Sequence, residues 1–367
     1  MSNKKKIALL NMRYDNNYGG NLQRYAMVTV LQRMGYSVEY LYIRDNWDDW
    51  FNHSVSKICK QSVKQFARHI LHPKTEPWLV WHRESIKYRE ECKATEPFLE
   101  KYIPHTKVIY SHRELEQVFK KGTYDAILAG SDQIWRKKYV ERYGLGTWYL
   151  DFVSANYGGS RVVYGASFGV DGLEYSIEDQ AVIRPLYEKL TAVSVRETSG
   201  LQLLAKYGCN HPQAELVLDP TLLLTKEDYE SVINEADTKP AEGDMFCYVL
   251  DKTPEIEERI RIIAEENGLT PYVASIKGDK QVQVEQWLRY IRDAKYVFTD
   301  SYHGLLFSII FGKPFHLEYN SNRGNARFDS ILDLLHIDID NTNYEDVYEQ
   351  VDEQKQRSIE FITQALR

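Results

Sequence analysis

The stretch from Tyr296 to Phe315 places an aspartate, a serine and a histidine where a predicted strand passes into a predicted helix. Asp300 or Ser301 can cap that helix, which Gly312 ends. The first backbone N–H groups of a helix attract anions, and an imidazole there can also transfer a proton near neutral pH. His303 is therefore a candidate for anion binding and proton transfer. The alternative is that Asp300 and Ser301 only cap the helix and that His303 is an ordinary surface histidine.

Two other turns put charged side chains at the ends of predicted strands. Asp132 follows the run 124–129, and Arg196 directly follows the run 191–195. In open α/β sheets the carboxyl ends of the strands form the ligand-binding edge, so Asp132, its neighbour Ser131 and Arg196 are candidates for one site. The planar guanidinium of Arg196 can bind a carboxylate or a phosphate through two bonds. The alternative interpretation is that Asp132 only caps the helix that follows its strand.

A loop near the start of the chain, residues 13–21, separates a first predicted strand from a helix predicted over 21–34. Gly19 and Gly20 would let the backbone approach a ligand closely, and Asn17 offers a polar side chain. The loop has neither the GxGxxG spacing of dinucleotide-binding folds nor the GK[ST] of a phosphate-binding loop. A ligand-binding loop and a plain tight turn both fit this sequence.

Strands and helices alternate through most of the chain, which predicts an α/β fold of two Rossmann-like β/α domains facing a cleft. The chain has 367 residues, more than one core usually supports. Because Asp219 and Pro220 indicate a break, we predict domains over 1–222 and 223–342. A helix over 343–367 follows and can cross back to the first domain. Residues 45–105 interrupt the alternation and predict a variable helical insertion.

Within the insertion, residues 56–71 predict an amphipathic helix. At about 100° per residue its basic side chains share one side and its apolar side chains the other. With four Trp nearby, such a helix is typical of a peripheral contact with an anionic membrane surface. A surface helix with a solvated basic face is the other interpretation. The basic side consists of Lys57, Lys60, Lys64 and Arg68, and the apolar side of Cys59, Val63, Phe66 and Ile70.

Composition excludes several classes of protein. A net charge of −7 argues against a nucleic-acid-binding protein. The four cysteines form no CxxC pair, which favours reduced thiols and a cytoplasmic location. A more specific location within the cytoplasm is the inner face of the membrane. The basic start has too short an apolar run for a signal peptide, and no segment has the roughly 18 apolar residues of a membrane span. No HxH, HExxH or DxD cluster indicates a metal site.

With these turns assembled, the chain resembles the polysaccharide pyruvyl transferase family. Seven segments follow the family's order from near the N-terminus to about residue 337. Each segment is loose alone, but seven in order form a specific signal. The segments are NYGGNLQRYAM (17–27), YDAILAGSDQIW (124–135), VVYGASFG (162–169), SVRE (194–197), LVLDPTLLL (216–224), FTDSYHGLLFSIIFGKPF (298–315) and NARFDSILDLLHI (325–337).

The resemblance implies a GT-B-like pair of domains and an enzyme that moves a pyruvyl group from phosphoenolpyruvate onto two hydroxyls of one sugar, releasing phosphate. The acceptor would belong to a surface polysaccharide or to its lipid-linked precursor. In the family, the arginine of the SVRE-like motif and the histidine of the DSxHG-like motif contact the donor. In this sequence they correspond to Arg196 and His303.

Phosphoenolpyruvate carries about three negative charges, so we expect further donor contacts from Ser301 and from Arg327, with Arg323 as the alternative arginine. The predicted catalytic residues are His303, for proton transfer and phosphate binding, and Asp132, as a second base. This chemistry needs no metal and no cofactor. The predicted acceptor-binding residues are Asn17, Gly19, Gly20, Gln23 and Ser131.

Two other functions fit a two-domain cleft. A glycosyltransferase that uses a nucleotide sugar would share the fold, because fold alone does not determine function. A carbohydrate-binding protein without catalysis is the second alternative. Stabilisation by phosphoenolpyruvate rather than by UDP or GDP would separate the first alternative from a pyruvyl transferase, and phosphate release would exclude the second.

Overall fold

The computed structural model describes residues 4–44, 55–71, 73, 88, 90–275, 278, 281–319, 325–339 and 342–367. Its strands form two sheets. The first has six strands in the order β2-β1-β3-β4-β5-β6, and the second has four in the order β10-β9-β7-β8. All the pairs described are parallel. The strands are β1 (Lys6–Leu10), β2 (Ser37–Tyr40), β3 (Ala126–Ala129), β4 (Ser160–Ala166), β5 (Ala192–Val195), β6 (Ala214–Leu216), β7 (Met245–Tyr248), β8 (Pro271–Val273), β9 (Tyr296–Thr299) and β10 (Phe315–Leu317).

Helices connect the strands of each sheet. Short 3-10 segments lie at Glu141–Tyr143, Leu145–Tyr149 and Pro220–Leu223. None of the helices within the described ranges is long and apolar enough to cross a membrane. The α-helices are Tyr18–Arg33, Val55–Leu71, Glu96–Tyr102, His112–Gly122, Lys137–Val140, Ile177–Tyr187, Thr198–Lys206, Lys226–Asn234, Pro254–Asn267, Val284–Asp293, Tyr302–Ile310, Ala326–Leu334 and Tyr344–Ala365.

Capping side chains determine where the two helices at the site begin. The first helix starts at Tyr18, three residues before the predicted position, because the Asn17 side chain accepts a hydrogen bond of 3.2 Å from the Gly20 N–H. The Ser301 hydroxyl likewise accepts from the Gly304 N–H at 3.4 Å and caps the helix that carries His303. The residues expected to bind ligands thus also shape the backbone.

The six-stranded sheet with its helices is here called the N-terminal lobe, and the four-stranded sheet with its helices the C-terminal lobe. Buried side chains of both lobes share one apolar cluster, in which Tyr18 of the first lobe stacks on Trp287 of the second at 5.5 Å between ring centroids. The last helix returns to the N-terminal lobe, where the Ser358 hydroxyl accepts from the Leu218 N–H at 3.0 Å. The fold is α/β and GT-B-like, with one parallel sheet in each lobe.

Candidate functional site

Arg196 lies directly after β5 and is the centre of a buried charge cluster. Its Nη1 donates to Asp219 Oδ2 at 2.6 Å, and its Nη2 donates to Asp132 Oδ1 at 2.9 Å. The guanidinium side chain is fully buried. Burial alone would lower the pKa of Arg196, but the carboxylates of Asp132 and Asp219 outweigh it and raise the pKa. Arg196 therefore stays charged and holds two carboxylates in place.

Asp219 is the residue on which the two lobes converge. Besides Arg196, its Oδ2 accepts from Gln23 Nε2 at 2.5 Å, and its Oδ1 accepts from the backbone N–H of Thr221 at 3.1 Å. Burial would raise the pKa of Asp219, yet the contacts with His303 and Arg196 hold it well below its ordinary value. In the sequence, Asp219 indicated only a break before Pro220. Its position just after β6, at the same sheet edge as Asp132 and Arg196, was the available signal.

His303 reaches this carboxylate from the C-terminal lobe. Its Nε2 lies 3.7 Å from Asp219 Oδ2, which is close enough for attraction but too long for a hydrogen bond. The ring packs against Gly19, where an added Cβ would lie 2.0 Å from Nδ1. Arg196 and His303, predicted to lie at one site, thus approach the same oxygen atom from opposite lobes.

Tyr302 fills the space between two guanidinium groups. Its ring centroid lies 4.7 Å from the Arg196 guanidinium carbon and 5.2 Å from that of Arg327. Such contacts attract a cation to the ring face, and Tyr302 is only 3% exposed. Burial raises the pKa of Tyr302 and lowers the pKa of Arg327, which also faces the like charge of Arg196. Arg327 therefore lies in the same cluster, and its contact with the donor stays a prediction. Tyr302 was missed because it occupies the variable position of the DSxHG-like motif.

Asp132 holds the outer side of the cluster. Its backbone φ is +76°, a left-handed conformation that is costly for a residue other than glycine and that is often found at functional sites. Its side chain is 15% exposed, whereas those of Arg196 and Asp219 are fully buried. Burial would raise the pKa of Asp132, but Arg196, His303 and Arg327 together lower it. Asp132 is an ionised carboxylate at the edge of the site.

Glu197 adds a third carboxyl group. It is fully buried, and its Oε1 accepts from the backbone N–H groups of Phe168 at 2.9 Å and Gly169 at 3.3 Å. Burial raises the pKa of Glu197 despite the nearby guanidinium of Arg196. The carboxyl groups of this cluster therefore differ, with Asp132 and Asp219 held ionised and Glu197 shifted towards its neutral form.

Several polar atoms of this cluster are buried without a hydrogen-bond partner. Such atoms are rare in folded proteins, and each calls for an explanation. Their grouping around the Arg196 guanidinium indicates a place where the polar groups of a ligand bind. Among the described residues, those at the cluster include Gln23 Oε1, Arg196 Nε, Glu197 Oε2, Tyr302 OH and His303 Nε2.

The residues predicted to bind the acceptor make their contacts within the protein. Asn17 caps its helix, Gln23 bonds Asp219, and the Ser131 hydroxyl donates to the Gly165 carbonyl at 2.7 Å. Gly19, which packs against His303, is buried, as is Gly20. Acceptor contact by these five residues stays a prediction.

The remaining candidates also have defined places. Ser301, predicted to contact the donor, caps the His303 helix, and Asp300 accepts from the Leu250 N–H at 2.7 Å. Arg323 lies outside the described residues. No group of three or more His, Cys, Asp or Glu that could hold a metal ion occurs within the ranges described.

A cavity of about 490 Å³ lies between the first turns of the helices Thr198–Lys206 and Ala326–Leu334, whose lining residues Thr198 and Ala326 adjoin Glu197 and Arg327 in the chain. The lobes are joined there, because the Thr198 N–H donates to the Ser330 hydroxyl at 3.0 Å. The cavity has space for a sugar-sized molecule. Its lining residues include Asp171, Thr198, Ser199, Asn325, Asp329 and Ser330.

The family model for polysaccharide pyruvyl transferase matches residues 17–322, a stretch that contains Arg196, Asp219 and His303. The chain belongs to the polysaccharide pyruvyl transferase family. The motifs quoted from the sequence up to Phe315 fall inside the match, which confirms the resemblance. No curated protein matches this chain.

Several solved structures are also similar to this chain, but more distantly. A putative UDP-N-acetylglucosamine 2-epimerase from Listeria monocytogenes is 10% identical with a TM-score of 0.48, over 99% of this chain and 91% of that one. The UDP-GlcNAc 2-epimerase of Neisseria meningitidis bound to UDP-GlcNAc is 7% identical with a TM-score of 0.49, over 97% and 93%. The spinosyn rhamnosyltransferase SpnG complexed with thymidine diphosphate is 10% identical with a TM-score of 0.39, over 98% and 96%.

Proposed function

We propose that this chain transfers a pyruvyl group from phosphoenolpyruvate to two hydroxyls of one sugar, forming a cyclic ketal and releasing phosphate. The sugar belongs to a surface polysaccharide or its lipid-linked precursor. The observation that carries the proposal is the approach of Arg196 and His303, from opposite lobes, to one buried oxygen of Asp219. The family match supports the same reaction class.

The donor is an anion, and its binding must overcome the carboxylates already bound to Arg196. Asp219 is anchored by Gln23 and Thr221, whereas Asp132 is the more exposed partner. We expect the carboxylate or phosphate of phosphoenolpyruvate to replace Asp132 on Nη2 of Arg196, because the exchange keeps the buried guanidinium paired with an anion throughout. Arg327 offsets the remaining negative charge.

The reaction must place the two methylene hydrogens of the donor and the two hydroxyl protons of the acceptor in the products. Protonation of the methylene carbon makes C2 electrophilic, one sugar hydroxyl attacks C2, phosphate leaves, and the second hydroxyl closes the ketal. The two hydroxyl protons and the two methylene hydrogens end as the methyl group and as hydrogen phosphate. His303 Nε2 supplies and accepts protons at this centre, and the released Asp132 carboxylate takes a proton from an acceptor hydroxyl.

The test is incubation with phosphoenolpyruvate and a panel of sugar acceptors. We expect release of inorganic phosphate together with a mass gain of one pyruvyl ketal, and stabilisation against heat by phosphoenolpyruvate but not by UDP or GDP. His303→Gln should lower turnover by roughly 10²- to 10⁴-fold, while the exposed-site control His112→Gln should not. Near-normal turnover in His303→Gln would remove the proton-transfer role. Stabilisation by UDP alone would favour a glycosyltransferase instead.

The same proposal places the enzyme in the cytoplasm. Cys92, Cys209 and Cys247 are free and buried, and burial raises the pKa of Cys209 to about 11, so its thiol is unreactive. Three unreactive thiols accord with a cytoplasmic enzyme that draws on phosphoenolpyruvate there. Detection of the native protein in the cytosolic or membrane-pelleted fraction of its source cells, rather than outside them, is the expected result.

A further inference from the structure

The helix Val55–Leu71 shows the reverse of the polarity expected of a surface helix. Four large apolar side chains point into solvent: Val63 is 70% exposed, Phe66 53%, Ile70 64% and Leu71 72%. Gln65, on the same helix, is only 2% exposed. A helix packed on a soluble domain normally buries its apolar side and exposes its polar one. The apolar side of this helix is therefore available to something outside the chain.

The charges of this helix point to the kind of partner. Its sequence contains three lysines and one arginine and no aspartate or glutamate, in a chain whose net charge is −7. Of these, Lys64 and Arg68 are exposed on the described part of the surface. At about 100° per residue Lys64 lies about 20° and Arg68 about 60° around the helix from Leu71, so both flank the exposed apolar side chains. Along the described part of this helix, the exposed apolar groups are thus flanked by positively charged side chains.

We propose that this helix docks the protein on an anionic lipid surface. Phe66, Ile70 and Val63 enter the boundary between headgroups and acyl chains, while Lys64 and Arg68 contact anionic headgroups, which is how basic amphipathic helices bind membranes. A purely apolar partner would leave the basic border without a counter-charge. The proposal stands apart from the reaction at Arg196, because the helix contributes no residue to that cluster.

The first experiment uses the full chain with two kinds of vesicle, phosphatidylcholine alone and phosphatidylcholine with about one third phosphatidylglycerol. We expect sedimentation with the anionic vesicles, weaker binding to the neutral ones, and partial release at high salt because salt screens exposed charges. If the wild-type protein binds neither kind, the proposal is wrong.

Paired variants separate the two contributions. Phe66→Ser with Ile70→Ser should lower binding to both vesicles by about tenfold or more per side chain, because burial of each large apolar group is lost. Lys64→Gln with Arg68→Gln should lower binding to anionic vesicles by roughly thirtyfold and leave neutral vesicles unaffected. Ile177→Ser is the matched control, since Ile177 is 80% exposed on another helix, and it should bind as the wild type does.

The same variants test whether the surface joins two copies of the chain. If Phe66→Ser with Ile70→Ser converts a dimer into a monomer by light scattering and leaves vesicle binding unchanged, the surface is a subunit interface and the lipid proposal falls. Phosphate release with a water-soluble acceptor should stay at the wild-type rate in every variant. Failure of that reaction in the wild type would contradict the proposed function without affecting the docking result.

Discussion

Gly19 lies directly against the imidazole ring of His303, across the boundary between the two lobes. A Cβ at position 19 would stand 2.0 Å from Nδ1 and 2.1 Å from Cγ of that ring, far inside contact distance. The helix Tyr18–Arg33 of the N-terminal lobe therefore sets how far the His303 helix can approach Asp219. The sequence suggested that Gly19 lets a ligand approach the backbone closely. In the structure, Gly19 is also needed so that His303 can pack in its place.

Gly19→Ala should displace His303 and lower pyruvyl transfer by at least tenfold. Overpacking of this kind typically costs about 1–3 kcal/mol, so the free energy of unfolding should also fall. Gly158→Ala is the control, because a Cβ at that position would have no atom within 4 Å. Urea unfolding and phosphate release measure both effects. Equal activity in the two variants would show that the position of His303 does not matter.

The strand ends at the site were predictable, but the residue that links them was not. Asp132, Arg196 and His303 each follow an apolar run, and parallel strands bring such positions to one sheet edge. Asp219 also follows a strand, but β6 has only three residues, Ala214–Leu216, and the Asp-Pro step resembles a loop. Its role depends on contacts with Gln23, 196 residues away in the chain, which no local pattern contains.

Gln23 and Tyr302 show a second limit of the sequence. A polar side chain near a ligand loop suggests contact with the ligand, yet Gln23 is fully buried and bonds a carboxylate of the protein. Tyr302 gave no signal, because an aromatic residue in an apolar helix reads as core. Which polar residues face the ligand and which support the site is decided by packing between lobes, and sequence periodicity does not report that packing.

Asp219→Asn should destabilise the protein in a pH-dependent way. The pKa of Asp219 is lower in the folded protein than the unfolded value of about 3.9, so its ionised form contributes stability above about pH 4. That contribution is lost as the pH falls through the folded-state pKa. At pH 7 we expect a loss of about 3–5 kcal/mol, the cost of leaving a buried charge without its partner.

The measurement for Asp219→Asn is urea unfolding at several pH values. The difference from the wild type should be largest near neutral pH and should shrink as the pH is lowered below about 4. Asp352→Asn, an exposed position on the last helix, should show little difference at any pH. A difference in stability that stays constant with pH would mean that lost packing, rather than lost charge, explains the variant.

Arg196→Lys should lower kcat/KM for phosphoenolpyruvate by roughly 10²-fold although the charge is retained. An ammonium group cannot reach Asp219 and a second carboxylate in the planar geometry of a guanidinium. The control is Arg33→Lys, because Arg33 also makes a two-bond pair, with Asp228, but is 56% exposed and lies away from the site. Exposed pairs contribute little, so Arg33→Lys should keep full activity. Equal kcat/KM in Arg196→Lys and wild type would mean that charge alone suffices.

Tyr302→Phe tests whether the unpartnered hydroxyl at the site serves the ligand. The Tyr302 OH makes no hydrogen bond within the protein, so its removal should change the free energy of unfolding by less than about 0.5 kcal/mol. We expect kcat/KM for phosphoenolpyruvate to fall by about tenfold, because one hydrogen bond to a charged ligand is lost. Tyr164→Phe is the matched control: its buried OH donates to the Leu218 carbonyl at 2.9 Å, so that variant should lose about 1 kcal/mol of stability and keep its kcat/KM. If Tyr302→Phe instead loses stability and retains full kcat/KM, the hydroxyl supports the fold and does not contact the donor.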